Sequence, residues 1–256
     1  MAEASVQTFW EHLDELRATL IRIGVVTVLF AVGAFMFKDE MFAVILAPRD
    51  AGFITYRWLG SLGGILSEMP ADTFSVDLIN TQLAQQFIIH MKAAFCVGLL
   101  CASPYIIYQL FRFISPALYE NERRYAVRIV GSAYVMFIAG MLISYYLIFP
   151  LTFRFLGSYQ VAGDVTNMIS LESYMDTLLM LSFSMGLVFE MPVLSWLLGR
   201  MGLLKASAMR RYRKHAIVVI LTAAAIITPT SDAFTLAAVS LPMWLLYELS
   251  ILLVRR

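Results

Sequence analysis

A short polar stretch, Phe111–Arg124, lies between two long apolar runs and reads F-R-F-I-S-P-A-L-Y-E-N-E-R-R. Its charged side chains are those of Arg112, Glu120, Glu122, Arg123 and Arg124. Proline lacks a backbone N–H and disfavours helical ψ in the residue before it, so Pro116 predicts the end of the preceding helix. The arginines suit a loop at a membrane surface, but that setting does not explain the glutamates. We therefore interpret the stretch as a docking surface.

A second charged group, His12–Arg17, reads H-L-D-E-L-R and comes just before the first apolar run. Thr8 and Glu11 fit a capping box, so the pattern predicts a helix that continues into the membrane. The simplest interpretation is an amphipathic lead-in with a local ion pair between Asp14 and Arg17, which are three residues apart.

A third candidate is Glu190, which lies inside an apolar run with Pro192 two residues later, and the proline predicts local unwinding of the helix. A charged side chain at the centre of a membrane helix costs roughly 3 kcal/mol on insertion scales, so it marks either function or a polar partner. Both interpretations are open: a functional carboxyl group, or a protonated one hydrogen-bonded to Ser182, Ser184 or a neighbouring helix. For Glu248, close to the end of its run, we expect only a local role.

The composition predicts a membrane protein. The chain has 256 residues, of which 60% are apolar and 14% charged, against about a quarter charged in soluble domains. Six apolar runs predict membrane spans at about 21–37, 87–110, 129–149, 174–198, 215–228 and 234–254. The fifth run has only about 14 apolar residues, or roughly 21 Å of helix, against a hydrocarbon core of about 30 Å.

The basic residues orient these spans. The N-terminal segment, the two loops at 111–128 and 200–214 and the C-terminus hold 14 of the 19 Lys and Arg residues. By the positive-inside rule, both termini are cytoplasmic, and residues 38–83 form a long outer loop. We predict an all-α integral membrane protein whose residues 1–256 form a single domain with six transmembrane helices.

Other function classes lack support in the sequence. The net charge of +1 argues against nucleic-acid binding. The chain has no H-E-x-x-H, G-x-S-x-G or phosphate-loop motif, and its three histidines fall in separate segments. Cys96 and Cys101 are five residues apart on one predicted helix and cannot bridge without unwinding it. We expect no enzyme activity, no cofactor and no metal.

Together these residues resemble TatC, the multispanning receptor subunit of the twin-arginine protein translocase. Seven motifs occur in family order: H-L-D-E-L-R at 12–17, Ala47-Pro48, S-P-x-x-x-x-Q at 103–109, F-I-S-P-A-L-Y-E-N-E-R-R at 113–124, F-P-L at 149–151, F-E-M-P-V at 189–193 and T-P-T-S-D at 228–232. The sequence departs from the family at Thr235-Leu236, where a polar S-Q pair is usual, and in an apparent insertion around residues 56–70.

The resemblance implies a receptor for signal peptides that carry two adjacent arginines on folded precursor proteins. Its site would comprise Glu15, Arg17, Phe113 and Glu122, with Pro48 and Pro116 as structural residues. Carboxylates accept paired hydrogen bonds from guanidinium groups, which agrees with two glutamates meeting two arginines.

The resemblance also implies partners within the bilayer. Glu190 and Asp232 would contact the single-span subunits TatA and TatB, and several copies of the chain would assemble in a receptor complex. It places the protein in the cytoplasmic (inner) membrane of a prokaryote. The alternative that we keep is a small-solute secondary transporter with Glu190 as a proton site, which internal repeats and paired broken helices would favour.

Overall fold

The computed structural model describes residues 9–61, 78–114, 126–159, 167–228 and 232–254. The helices are α1 (Phe9–Met36), α2 (Lys38–Leu46), α3 (Ile54–Ser61), α4 (Gln85–Ile114), α5 (Ala126–Ile143), α6 (Phe149–Ser158), α7 (Leu171–Phe189), α8 (Met191–Arg200), α9 (Ala206–Arg211), α10 (Arg213–Ile227) and α11 (Ala233–Val254). A 3₁₀ turn covers Ala47–Arg49 and a π-helix covers Ser144–Ile148. Two short strands, β1 (Leu78–Ile79) and β2 (Ile169–Ser170), pair in parallel, with Leu78 opposite Ile169.

The predicted all-α membrane fold is confirmed. Among the described residues, five stretches are long and apolar enough to cross a membrane, at Leu13–Met36, Gln85–Phe113, Arg128–Ser158, Leu171–Arg200 and Ala233–Val254. They coincide with five of the six predicted spans. The remaining predicted span, 215–228, coincides with α10, whose 15 residues give a helix about 22 Å long.

The lead-in to the first span is helical, as predicted. Helix α1 runs without a break from Phe9 to Met36, so the H-L-D-E-L-R motif stands on the same helix as the membrane span. Helix α4 is described as far as Ile114, and the Ser115-Pro116 pair that predicts its end lies outside the described residues. The predicted outer loop, residues 38–83, contains the two short helices α2 and α3.

The third predicted span, about 129–149, extends further than its apolar run indicates, to Ser158. The chain passes from α5 through the π-helix into α6, which continues to Ser158. Pro150 lies in the first turn of α6, where an α-helix leaves backbone N–H groups without intrahelical partners, so its missing N–H costs little. The Thr55 hydroxyl donates a hydrogen bond to the carbonyl of Tyr146 within the π-helix.

The fourth span is interrupted inside the membrane-length stretch. Helix α7 ends at Phe189 and α8 begins at Met191, so Glu190 occupies the junction. Pro192 stands in the first turn of α8, in keeping with the local interruption that its sequence position predicts. The backbone remains satisfied there, because Glu190 N donates to Leu187 O at 3.1 Å and Glu190 O accepts from Leu194 N at 2.9 Å.

The chain divides into two compact units, residues 1–37 with 94–134, and residues 38–93 with 135–256. In the first unit α1 and α4 approach closely, because a Cβ at Gly98 would lie 2.6 Å from the backbone nitrogen of Ala31. In the second unit α5 and α7 do the same, because a Cβ at Gly140 would lie 2.5 Å from the carbonyl oxygen of Met185. Glycine therefore permits helix contact in each unit.

Candidate functional site

The lead-in helix of the first unit carries two predicted site residues. Glu15 is half-buried, and its Oε2 atom is buried with no hydrogen-bond partner among the residues that the structure describes. Arg17 is exposed, and residues two apart on a helix do not face each other. Asp14 is exposed as well, and the predicted ion pair between Asp14 and Arg17 is not formed. The charges of the motif are therefore not paired with each other in this way.

The docking surface is described only at its start. Phe113 lies in the last turn of α4 and is half-buried, within the same unit as Glu15 and Arg17. Glu122 and Pro116 lie outside the described residues. That Glu15 and Glu122 belong to one binding site therefore stays a prediction.

The carboxyl group of Glu190 has no local partner in the part of the chain that the structure describes. Its Oε1 atom is buried, and neither Ser182 nor Ser184 hydrogen-bonds to it, although both are on the preceding helix. The local alternative that names these two serines is therefore wrong. A buried carboxyl oxygen without a partner is costly, so its natural complement is a donor brought by another molecule.

Asp232 precedes the last helix, and its Oδ2 atom accepts a hydrogen bond from the backbone N–H of Thr235 at 2.7 Å. An aspartate in this position satisfies one of the N–H groups that the first helical turn leaves open. Thr235 is fully buried beside it. The residue thus has a structural role in starting α11 whatever else it contacts.

Sequence reasoning missed Tyr56, which joins two of the family motifs. Its hydroxyl lies 2.9 Å from the carbonyl oxygen of Pro48 and 3.1 Å from that of Pro150, so the two carbonyls share one donor. Burial raises the pKa of Tyr56, and the Arg154 guanidinium, 5.4 Å from the ring centre, opposes that rise. The phenol therefore stays protonated and continues to donate. An aromatic residue at the start of an apparent insertion was the only available signal.

A polar and aromatic cluster surrounds this junction in the second unit. Tyr174 is buried, donates a hydrogen bond to Ile45 O at 2.9 Å and meets Phe149 edge to face at 5.0 Å. Gln85 donates to Glu172 at 2.8 Å, which links the starts of α4 and α7. These contacts connect residues that are far apart in sequence.

Two charges inside spans have partners in the second unit. Lys92 and Asp176 form an ion pair at 3.0 Å. Arg213 and Glu248 form an ion pair at 2.6 Å, which confirms the local role expected for Glu248. Glu190 differs from both, because its buried oxygen has no such partner among the described residues.

These features define a class of protein: a multispanning α-helical membrane protein in which, among the described residues, a buried carboxyl oxygen without a hydrogen-bond partner lies on the lead-in helix and another lies at a break within a span. The family model described as Sec-independent protein translocase protein (TatC) matches residues 11–242. The chain belongs to the TatC family.

Individual relatives agree with this assignment. The chain is 33% identical over 253 residues to the Sec-independent protein translocase protein TatC of Deinococcus radiodurans, covering 99% of this chain and 87% of the relative. It is 33% identical over 247 residues to the TatC protein of Aquifex aeolicus, covering 95% and 92%. A crystal structure of the twin arginine translocase receptor TatC superposes with a TM-score of 0.77 at 31% identity, covering 96% of this chain and 98% of that one. The transporter alternative finds no support here.

Proposed function

We propose that this chain is the receptor subunit of a twin-arginine translocase, which binds signal peptides carrying two adjacent arginines on folded precursor proteins. Glu15, Arg17, Phe113 and Glu122 would form the site. The observation that carries the proposal is the Oε2 atom of Glu15, buried and without a hydrogen-bond partner in the described part of the chain.

The chemistry of Glu15 selects its ligand. An ionised carboxylate can only accept hydrogen bonds, and burial without a donor penalises it. A guanidinium group supplies two parallel N–H donors and a positive charge in the geometry that a carboxylate accepts. Phe113 would add apolar or cation–π contact with the same peptide. Arg17 would hold the surface together, since facing an incoming arginine would repel it.

The carboxyl group of Glu190 supports a second part of the proposal. Glu190 and Asp232 would contact single-span subunits of the TatA and TatB type, with several copies of this chain in one receptor complex. The support is the unpartnered Oε1 of Glu190 at the junction of α7 and α8. Such a receptor works by binding and assembly, so we propose no enzymatic step and no cofactor.

Peptide titration tests the recognition site. The full chain in nanodiscs is titrated with a twin-arginine signal peptide and with the same peptide carrying two glutamines. Glu15→Gln should weaken binding of the arginine peptide by about 2 kcal/mol, the range of a charge-assisted hydrogen bond, and should leave the weak binding of the glutamine peptide unchanged. Asp14→Asn is the matched control, because Asp14 is exposed on the adjacent position of the same helix.

Two results would contradict this site. Equal losses of binding affinity for both peptides would mean that Glu15 stabilises the structure of α1 and does not recognise arginine. Equal losses in the Glu15 and Asp14 variants would mean that only general charge attracts the peptide, an effect that salt screening would remove.

Co-purification tests the partner site. Glu190→Leu should leave membrane insertion and peptide binding intact but reduce recovery of single-span subunits and export of a precursor. Glu248→Gln is the control, because Glu248 is already paired with Arg213. Normal export by the Glu190→Leu protein would refute the role of this carboxyl group, and solute flux through the chain alone would favour the transporter instead.

A further inference from the structure

The stretch from Arg200 to Lys214, which joins α8 to α10, carries a net positive charge. Between Glu190 and Asp232 the chain has no Asp or Glu. In the same interval it has six cationic side chains, Arg200, Lys205, Arg210, Arg211, Arg213 and Lys214. The positive-inside rule accounts for the side of the membrane on which they lie, but it does not specify what neutralises them.

Two of the six cations already have partners within the chain. Arg213 forms the 2.6 Å ion pair with Glu248. Arg200 lies over the ring of Trp196, with its guanidinium carbon 5.4 Å from the ring centre. The other four, Lys205, Arg210, Arg211 and Lys214, are exposed and form no ion pair with any residue that the structure describes.

The backbone that carries these cations is held by the last helix. Tyr247 donates a hydrogen bond to the carbonyl of Met209 at 2.8 Å, and Met209 itself is buried. With the pair between Arg213 and Glu248, these contacts attach both α9 and the start of α10 to α11. The cations are thus presented from a fixed surface, which lowers the entropic cost of binding a ligand.

The neighbouring side chains indicate a membrane surface. Leu203 is 70% exposed and Tyr212 is 53% exposed, so an apolar and an amphipathic side chain project from the same basic segment. Helix α10 is about 22 Å long against a hydrocarbon core of about 30 Å, so its basic first turn is drawn toward the lipid headgroups. Aromatic residues and cations together are typical of that layer.

We propose that Lys205, Arg210, Arg211 and Lys214 form a binding site for the headgroups of anionic phospholipids. Charge complementarity carries the proposal, because the four exposed cations have no acidic partners in the described chain and together attract an anionic surface. Each basic side chain near an anionic surface contributes about a fivefold gain in affinity. An acidic peptide is the competing ligand, and the experiment separates the two.

The test measures lipid retention by the full chain. The protein is exchanged into nanodiscs of phosphatidylcholine with a varied fraction of phosphatidylglycerol, and bound lipid is measured by native mass spectrometry. Arg211→Gln/Lys214→Gln should lower the apparent affinity for phosphatidylglycerol by about 25-fold, at fivefold for each cation. Lys38→Gln/Arg57→Gln is the matched control, because it removes one lysine and one arginine that are exposed elsewhere in the same unit.

The outcomes discriminate between the possible ligands. Retention that falls in the Arg211/Lys214 variant and not in the Lys38/Arg57 variant supports the site. Equal losses in the two variants would overturn it in favour of general electrostatic attraction. Unchanged retention, with a polyglutamate peptide binding the unmodified chain but not the Arg211/Lys214 variant, would overturn it in favour of an acidic peptide.

Discussion

The two compact units differ in how their polar side chains are paired. In the first unit, Gln109 donates a hydrogen bond to Tyr105 one helical turn away, while Glu15 keeps a buried oxygen without a described partner. In the second unit, hydrogen bonds and ion pairs join distant parts of the chain, such as Tyr174 to Ile45 and Lys92 to Asp176. Polar contacts therefore cross-link the second unit, whereas the first unit has a charged group, Glu15, that is available to a ligand.

Such a difference is expected between a scaffold and the recognition surface that we propose. Pairing a buried polar group removes the cost of its desolvation, whereas an unpaired one retains that cost until a ligand supplies the partner. Glu190 is the exception within the second unit, because its buried Oε1 has no described partner in an otherwise cross-linked region. In both units, therefore, an unpaired carboxyl oxygen coincides with a proposed binding position.

The largest expected effect comes from breaking the helix contact of the second unit. Gly140→Ala places a Cβ 2.5 Å from the backbone carbonyl of Met185, which cannot rotate away. We expect a loss of about 3 kcal/mol in the free energy of unfolding, at the upper end for overpacking. Gly131→Ala on the same helix is the control, since nothing lies within 4 Å of its Cβ position. Equal stability of the two variants in a denaturant titration would contradict the described contact.

The equivalent change in the first unit should cost less. Gly98→Ala brings a Cβ to 2.6 Å from the backbone of Ala31, but α1 has few described ties and can shift as one helix. We expect about 2 kcal/mol, together with weaker signal-peptide binding because α1 carries Glu15. Gly24→Ala on α1 is the control, with open space around its Cβ position. A loss larger than that of Gly140→Ala would reverse the comparison between the units.

Removing the Tyr56 hydroxyl tests the junction that links Pro48 and Pro150. Tyr56→Phe should cost about 1 kcal/mol at neutral pH, because two carbonyls lose their shared donor. Burial raises the pKa of Tyr56, so the unfolded chain ionises first, from about pH 10, and the folded chain loses stability as the pH rises further. Unfolding measured at pH 8 and above pH 10 should show a shallower alkaline loss in Tyr56→Phe. The same alkaline loss in both proteins would assign it to other groups.

The smallest expected effect concerns the ion pair between Lys92 and Asp176. Both side chains are about half exposed, at 42% and 47%. Asp176→Asn should therefore cost only about 0.5 kcal/mol, as measured for exposed pairs. Thermal unfolding in detergent, alone and with Lys92→Gln in a double-mutant cycle, measures the coupling. A coupling above about 2 kcal/mol would show that the pair is desolvated and belongs to the core of the second unit.

Local patterns predicted most of the fold. Long apolar runs predicted five spans that the structure confirms, and Pro192 predicted the interruption beside Glu190. The end of the third span was predicted too early, near Pro150. A proline that ends one helix cannot be told in sequence from a proline that begins the next, and no pattern revealed the π-helix before it. The pairing of Lys92 with Asp176 depends on residues 84 positions apart, so no local period could reveal it.

The candidate site was likewise only partly predictable from the sequence. Glu15 and Glu190 stand out in sequence because charge within or beside an apolar run is costly. Their lack of described partners is a property of the folded chain, since it depends on what the neighbouring helices do not supply. Tyr56 does not stand out in the sequence, because tyrosine is common in loops. Its role depends on the two hydrogen bonds of its hydroxyl, which only the folded chain shows.

The π-helix at Ser144–Ile148 is the place where this span can best absorb a change in its residue count. Hydrogen bonds from i to i+5 hold one more residue in the turn than an α-helix does. Deleting one residue there would return the turn to a regular α-helix and leave the faces of the following helix nearly where they are. The same deletion in the regular part of α5 would rotate everything after it by about 100°. Phe149 and Phe153 would then turn away from Tyr174, which they now meet edge to face.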